Sequence, residues 1–143
     1  MKSFFELLDE VASTIGSDMQ ERRLYPRFPW AHSVRLRGAR GEQFQAMSSD
    51  ISVGGIGLEL TRESVVALAQ GGHILGPGDH LRVVLPADVA GGRGELDLRC
   101  RVREVRRVSQ EKYVAGTWFE QLDPGSEDVI DGLIEVAQKA RWG

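Results

Sequence analysis

"ELDLRCRVREV", residues 95–105, decides the fold. Leu96, Leu98, Cys100 and Val102 alternate with Glu95, Asp97, Arg99, Arg101 and Arg103. Period-two alternation places one set on each side of a β-strand, with one face dry and one wet. On this reading the arginines between Arg99 and Arg107 form a solvated strand face and turn. Cys100 is a small apolar residue of the dry face.

The same period recurs on both sides of this stretch. "HSVRLR" puts Val34 and Leu36 on one face and Ser33, Arg35 and Arg37 on the other. "GARGE" turns the chain into "QFQAMSSDIS", and "GIGLEL" follows as a third strand. "HLRVVLP" is stopped by Pro86, and "KYVAGTWFEQL" is the last strand. Of Trp118 and Phe119, one faces the core and the other the surface or a stacked ligand. Between the third and fourth strands, "RESVVALAQGG" (residues 62–72) reads as a short helical insertion ended by Gly71 and Gly72. The serial strands and short turns predict a mainly β chain, a six-stranded antiparallel barrel or sandwich; a barrel leaves no exposed edge.

Helices flank the barrel. Phe4, Leu7, Leu8, Val11 and Ile15 mark one face of an N-terminal amphipathic helix over Lys2–Ile15. "SEDVIDGLIEVAQKARW" is a C-terminal helix with Val129, Ile130, Leu133, Ile134 and Ala137 on its apolar face. Asp123 or Ser126 caps it, and Glu127 and Asp128 suit its dipole. The division is therefore residues 1–20 for the first helix and 21–143 for the barrel domain.

Composition bounds the function. The 143 residues suit one domain with a real core. A single cysteine rules out an intrachain disulfide and fits a reducing compartment. No apolar run approaches the roughly 18 residues of a membrane helix, and "MKSFFELLDEV" does not read as a signal peptide. The expected location is the cytoplasm, without membrane attachment. His32, His73 and His80 lack metal-ligand spacing, so no metal is expected. No histidine is placed to activate Ser52, so no enzyme activity is expected.

The net charge is −3, yet six arginines and one acid lie between Glu21 and Arg40. Arginine outnumbers lysine 15 to 3, and its planar fork suits phosphate and guanine. Part of the cluster, "ERRLYPRFPW" (residues 21–30), is broken by Pro26 and Pro29, which favour extended backbone. It reads as a linker. In an extended chain Arg23 and Arg27 lie about 13 Å apart at most. A turn at Leu24–Pro26 would aim both at one ligand.

A second candidate is "DISVGGIGL", residues 50–58. As an ordinary hairpin, Asp and Ser cap the turn and the glycines supply positive φ. As a site, it offers a carboxylate, a hydroxyl and bare backbone N–H groups to an anion. The two stretches are chemically complementary. Arginine donates to guanine O6 and N7, guanine N1–H and N2–H₂ donate to a carboxylate, and arginines with backbone amides hold phosphate.

The pair RxxxR, here "RLYPR" (Arg23–Arg27), followed by DxSxxG, here "DISVGG" (Asp50–Gly55), resembles the PilZ domain. "LGPGDHLRVVLP" and "YVAGTWFEQLD" are similar to that family's fourth-strand entry and closing strand. The resemblance covers roughly residues 21–142. It implies a six-stranded antiparallel β-barrel followed by a helix, and a receptor for the bacterial second messenger cyclic di-GMP. It implies no catalysis and no cofactor beyond that ligand. By the family motif, Arg23 and Arg27 contact guanine and phosphate. Asp50 accepts from a guanine edge or orients an arginine, and Ser52 donates to phosphate or base. Gly55, with Gly54, lets the backbone approach closely. Arg22 is an added candidate for holding a stacked pair of ligand molecules.

In this reading the linker is a clamp that a dianionic ligand draws against the barrel. Fixing each linker residue costs about 1–2 kcal/mol, which the contacts must exceed, and the two prolines lower that cost. The signal then passes to a protein partner, with the first helix as a candidate surface for it or for a homodimer. The alternative is a non-nucleotide protein-interaction adaptor whose arginines meet an acidic partner. Single-stranded nucleic acid ranks lower: such barrels need aromatic platforms, and aromatic residues are 7% of this chain.

Overall fold

The computed structural model describes residues 25–92 and 94–142. The expected first helix, Arg22 and Arg23 lie outside the described residues. Seven strands and two helices follow in order: β1 (Phe28–Pro29), β2 (Ser33–Arg37), β3 (Gln43–Ile51), β4 (Ile56–Thr61), α1 (Arg62–Ala67), β5 (His80–Leu85), β6 (Leu96–Arg107), β7 (Lys112–Phe119) and α2 (Pro124–Trp142). Every pairing is antiparallel. The sheet runs β3-β2-β5-β6-β7-β4, and β4 pairs back with β3. That last ladder closes a six-stranded barrel.

The two-residue β1 is the addition to the six strands read from sequence. Phe28 pairs with Ile51 and Pro29 with Asp50. Trp30 N–H then donates to Ser49 O at 3.1 Å, and Ser48 N–H to His32 O at 2.9 Å. The end of the arginine-rich linker is thus strand-like and bound to the barrel. Pro29 is tolerated because β1 is a short edge piece, where a missing N–H breaks no central ladder.

The alternating residues fill the barrel. Val34, Leu36, Ile51, Ile56, Leu58, Leu60, Leu81, Val83, Leu85, Leu98, Cys100, Val102 and Ala115 are all buried in one cluster. Val65 and Leu68, on and just after α1, join it, so the insertion supplies core. Thr61 caps α1 in a reciprocal box with Ser64. Ile130, Ile134 and Ala137 of α2 complete the cluster. Asp123 caps α2, taking the Ser126 N–H at 2.7 Å, and Pro124 begins the helix. That bond holds the Asp123 carboxyl below its ordinary range. Among the described residues no helix is long and apolar enough to cross a membrane.

Burial pushes the Cys100 thiol up to about 12. At pH 8 roughly one thiol in 10⁴ is then ionised, and the thiolate is the reactive form. Native protein is expected to resist a thiol reagent until it unfolds. Stopped-flow labelling checks this, since a rate like that of a free cysteine would place the inward face of β6 in water.

Three arginines of the barrel strands meet acids that are remote in sequence. Arg35 meets Glu95 at 3.0 Å, and Arg37 and Arg82 share Asp97 at 3.5 and 3.4 Å. Arg40 pairs with Glu42 at 3.2 Å and donates to the Ala67 and Ala69 carbonyls at the end of α1. Half of the first arginine cluster therefore braces the barrel.

Candidate functional site

The hairpin between β3 and β4 carries the DxSxxG residues, and its shape follows from Ser52. The Ser52 side chain is buried, and its Oγ accepts the N–H groups of Gly54 and Gly55, each at 3.1 Å. Its hydroxyl reaches the Gly55 carbonyl at 3.4 Å, and Ser52 N–H donates to that carbonyl at 2.9 Å. The amides expected to be bare for an anion are thus already satisfied by the serine. This is the local logic of Ser-Gly turns: a short hydroxyl competes for nearby amides.

The glycines permit two close approaches. A Cβ on Gly55 would lie 1.7 Å from the Thr117 carbonyl oxygen. A Cβ on Gly54 would lie 2.6 Å from the Tyr25 ring. So β7 seats directly on Gly55, and the aromatic ring of the linker seats on Gly54. Thr117 ties the same junction, donating from Oγ1 to the Ile56 carbonyl at 2.8 Å. Phe119 N–H donates to the Gly54 carbonyl at 2.8 Å.

These approaches build a cleft lined by Tyr25, Arg27, Asp50, Ser52, Gly55 and Trp118, with Ile56 and Thr117 at its base. The β1–β3 register explains how Arg27 arrives there. With Phe28 opposite Ile51, the next position outward sets Arg27 beside Ser52. Arg27 is exposed. Asp50 leans across Gly57, where a Cβ would lie 2.6 Å from its Oδ2, and Ser49 Oγ donates to that oxygen at 3.3 Å. The structure therefore brings together Arg27, Asp50, Ser52 and Gly55, with Gly54 alongside under Tyr25.

Beside the buried Ile56, two further residues that sequence reasoning did not place there line the cleft, and a third packs against its Trp118 wall. Tyr25 and Thr117 enter through the glycine contacts. The third is Arg103, which corrects the reading of Arg99–Arg107 as a solvated face. Arg99, Arg101, Arg106 and Arg107 are exposed, but the Arg103 side chain is only 8% exposed. The cause is a β-bulge: the β6–β7 register shifts between Val102 and Glu104, leaving Arg103 as the extra residue. It folds over Gly116, and its guanidinium stacks on Trp118 at 4.9 Å from the ring centroid. Trp118 therefore faces the cleft while Phe119 packs on the core. The available signal was Gly116, a glycine two residues before a tryptophan in a strand.

The described chain is a closed antiparallel barrel in which the end of the arginine-rich segment pairs with the strand entering the DxSxxG hairpin. The PilZ domain family profile matches residues 21–135, and the chain belongs to that family. Among solved structures it is similar to the PilZ domain of YcgR from Escherichia coli, solved with c-di-GMP. That match has 14% identity and a TM-score of 0.60, covering 84% of this chain and 94% of that one. It is also similar to the K. pneumonia MrkH–c-di-GMP complex, at 19% identity and TM-score 0.59, covering 82% of this chain and 53% of that one. The Bacillus subtilis inhibitor of motility MotI/DgrA matches at 19% identity and TM-score 0.57, covering 82% of this chain and 52% of that one. The chain thus spans about half the length of the last two. At these identities the likeness is one of fold. No curated protein matches the sequence significantly.

Proposed function

We propose that this protein is a non-catalytic receptor for cyclic di-GMP, working in the cytoplasm. Arg22, Arg23 and Arg27 of the linker and Asp50, Ser52, Gly54 and Gly55 of the hairpin form its binding site. The observation that carries this reading is the convergence of Arg27 with Asp50, Ser52 and Gly55 on one cleft, beside an aromatic ring. The ligand has two guanines and two phosphodiesters. Arg27 offers a fork to the guanine O6/N7 edge or to phosphate, and Asp50 accepts from guanine N1–H and N2–H₂. Ser52 acts by shaping the hairpin, because its oxygen already holds two amides there. Gly54 and Gly55 set how close Tyr25 and β7 lie.

Output runs through the linker, whose end at β1 is joined to the hairpin strand next to the site. A ligand gripped by Arg23 and Arg27 repositions residues 1–20 relative to the barrel and so presents a surface to a protein partner. Titration calorimetry with cyclic di-GMP, and GTP as control, tests the reading. Micromolar or tighter binding to the cyclic dinucleotide alone is expected, and its stoichiometry distinguishes one bound molecule from a stacked pair. Absence of both heat and thermal shift would overturn it in favour of an adaptor that uses the arginines for an acidic protein.

A further inference from the structure

Arg103 holds hydrogen-bond donors that its surroundings do not use. Its Nη2 meets Glu104 Oε1 at 3.3 Å, but Nε and Nη1 are buried without an acceptor. Buried donors left unmade are costly, and natural proteins keep few of them. The position is built for the group. A Cβ on Gly116 would lie 2.5 Å from Nη2, so in this arrangement the guanidinium occupies the space above the glycine. Gly116 pairs with Gly57 across β4 and β7, and Gly57 is the glycine over which Asp50 lies. The guanidinium and the carboxylate therefore rest over two adjoining glycines on the outer face of the barrel, as cross-strand neighbours. No ion pair joins them.

A donor fork beside a carboxylate matches one nucleobase. Guanine presents N1–H and N2–H₂ next to its O6 and N7 acceptors. Adenine presents an amino donor and a ring acceptor in the opposite arrangement. A phosphate is disfavoured here, because Asp50 repels it. We propose that Arg103 is a specificity-determining residue of the ligand site: it donates to the O6/N7 edge of the guanine whose N1/N2 edge meets Asp50. This inference rests on the cyclic di-GMP reading above. The guanidinium is held ready by the Trp118 ring, so the barrel carries a reading arginine of its own, independent of the linker.

The test is calorimetry with cyclic di-GMP and with its 7-deazaguanine analogue, on wild type, Arg103→Met and Arg103→Lys. Wild type is expected to bind the parent and to lose affinity for the analogue. Arg103→Met is expected to bind the parent three- to tenfold more weakly, with a smaller further loss on the analogue. Its melting temperature should hold or rise, because a buried charge with two unmade bonds has gone. Wild-type affinity in the Met variant, or an analogue penalty equal to that of wild type, overturns the role of Arg103 and leaves the receptor reading standing. No binding to wild type overturns both. If the Met variant does not fold, Arg103→Lys decides. It keeps the charge but not the fork, so a loss of at least threefold supports the role and wild-type affinity overturns it.

Discussion

Gly55→Ala is expected to lower stability by about 4 kcal/mol or more, among the largest effects of single substitutions. For a domain of this size that is a fall in Tm on the order of 10–20 °C. The reason is geometric. The new methyl would lie 1.7 Å from the Thr117 carbonyl oxygen and 2.8 Å from its carbonyl carbon, both backbone atoms. Backbone cannot swing aside as a side chain can, so the start of β4 and the end of β7 must part. That separation strains the bonds of Phe119 N–H to Gly54 O and Thr117 Oγ1 to Ile56 O, both 2.8 Å. Two other glycines calibrate the measurement. Gly54→Ala meets the Tyr25 ring, which can move, so its loss should be much smaller. Gly71→Ala meets nothing within 4 Å and should melt like wild type, within about 0.5 kcal/mol. Thermal melts followed by circular dichroism check all three. A Gly55→Ala melt close to that of Gly71→Ala would mean that β7 does not seat on the hairpin as described.

The barrel was legible because its strands largely keep a two-residue period, and burial follows that period most clearly in β2 and from Leu98 to Val102 of β6. The legibility stops where the period stops. At Arg103 a bulge adds one residue opposite Gly116, and no alternation pattern announces a bulge, because its cause is a tertiary fit. The arginines were misleading in the other direction. Arg35 and Arg37 look like members of a binding cluster in sequence, yet they pair with Glu95 and Asp97 across the barrel. Such partners lie far along the chain, and only the strand register brings them together. The hairpin was legible in residue types but not in its use of them. "DISVGG" has the residues of both a turn and a site, and Ser52 proves committed to the turn amides while still lining the cleft. At α2 the two candidate caps were chemically equivalent. Asp123 holds the cap because the helix starts at Pro124, which leaves Ser126 already inside the first turn.

Arg27→Ala is expected to weaken cyclic di-GMP binding at least tenfold, about 1.4 kcal/mol or more, with no change in melting. The separation of the two readouts is the argument. Arg27 is exposed and lines the cleft just before β1, so the fold loses nothing when it is truncated. Its value can lie only in what enters the cleft. Arg27→Lys keeps the charge and loses the two-pronged geometry, so it should fall between wild type and alanine if the contact is a fork. A lysine variant equal to wild type would reduce the contact to simple charge. Asp50→Ala completes the set from the opposite wall. It removes the acceptor for guanine and leaves the β3–β4 ladder through Gly57 in place, so it too should weaken binding without altering the circular dichroism spectrum. The Arg27/Asp50 double variant then tells whether the two residues hold one ligand together. Losses that fall short of additive indicate a shared ligand group, whereas strict additivity indicates independent contacts. Unchanged affinity in Arg27→Ala would remove the clamp reading, in which Arg27 grips the ligand from the wall of the cleft.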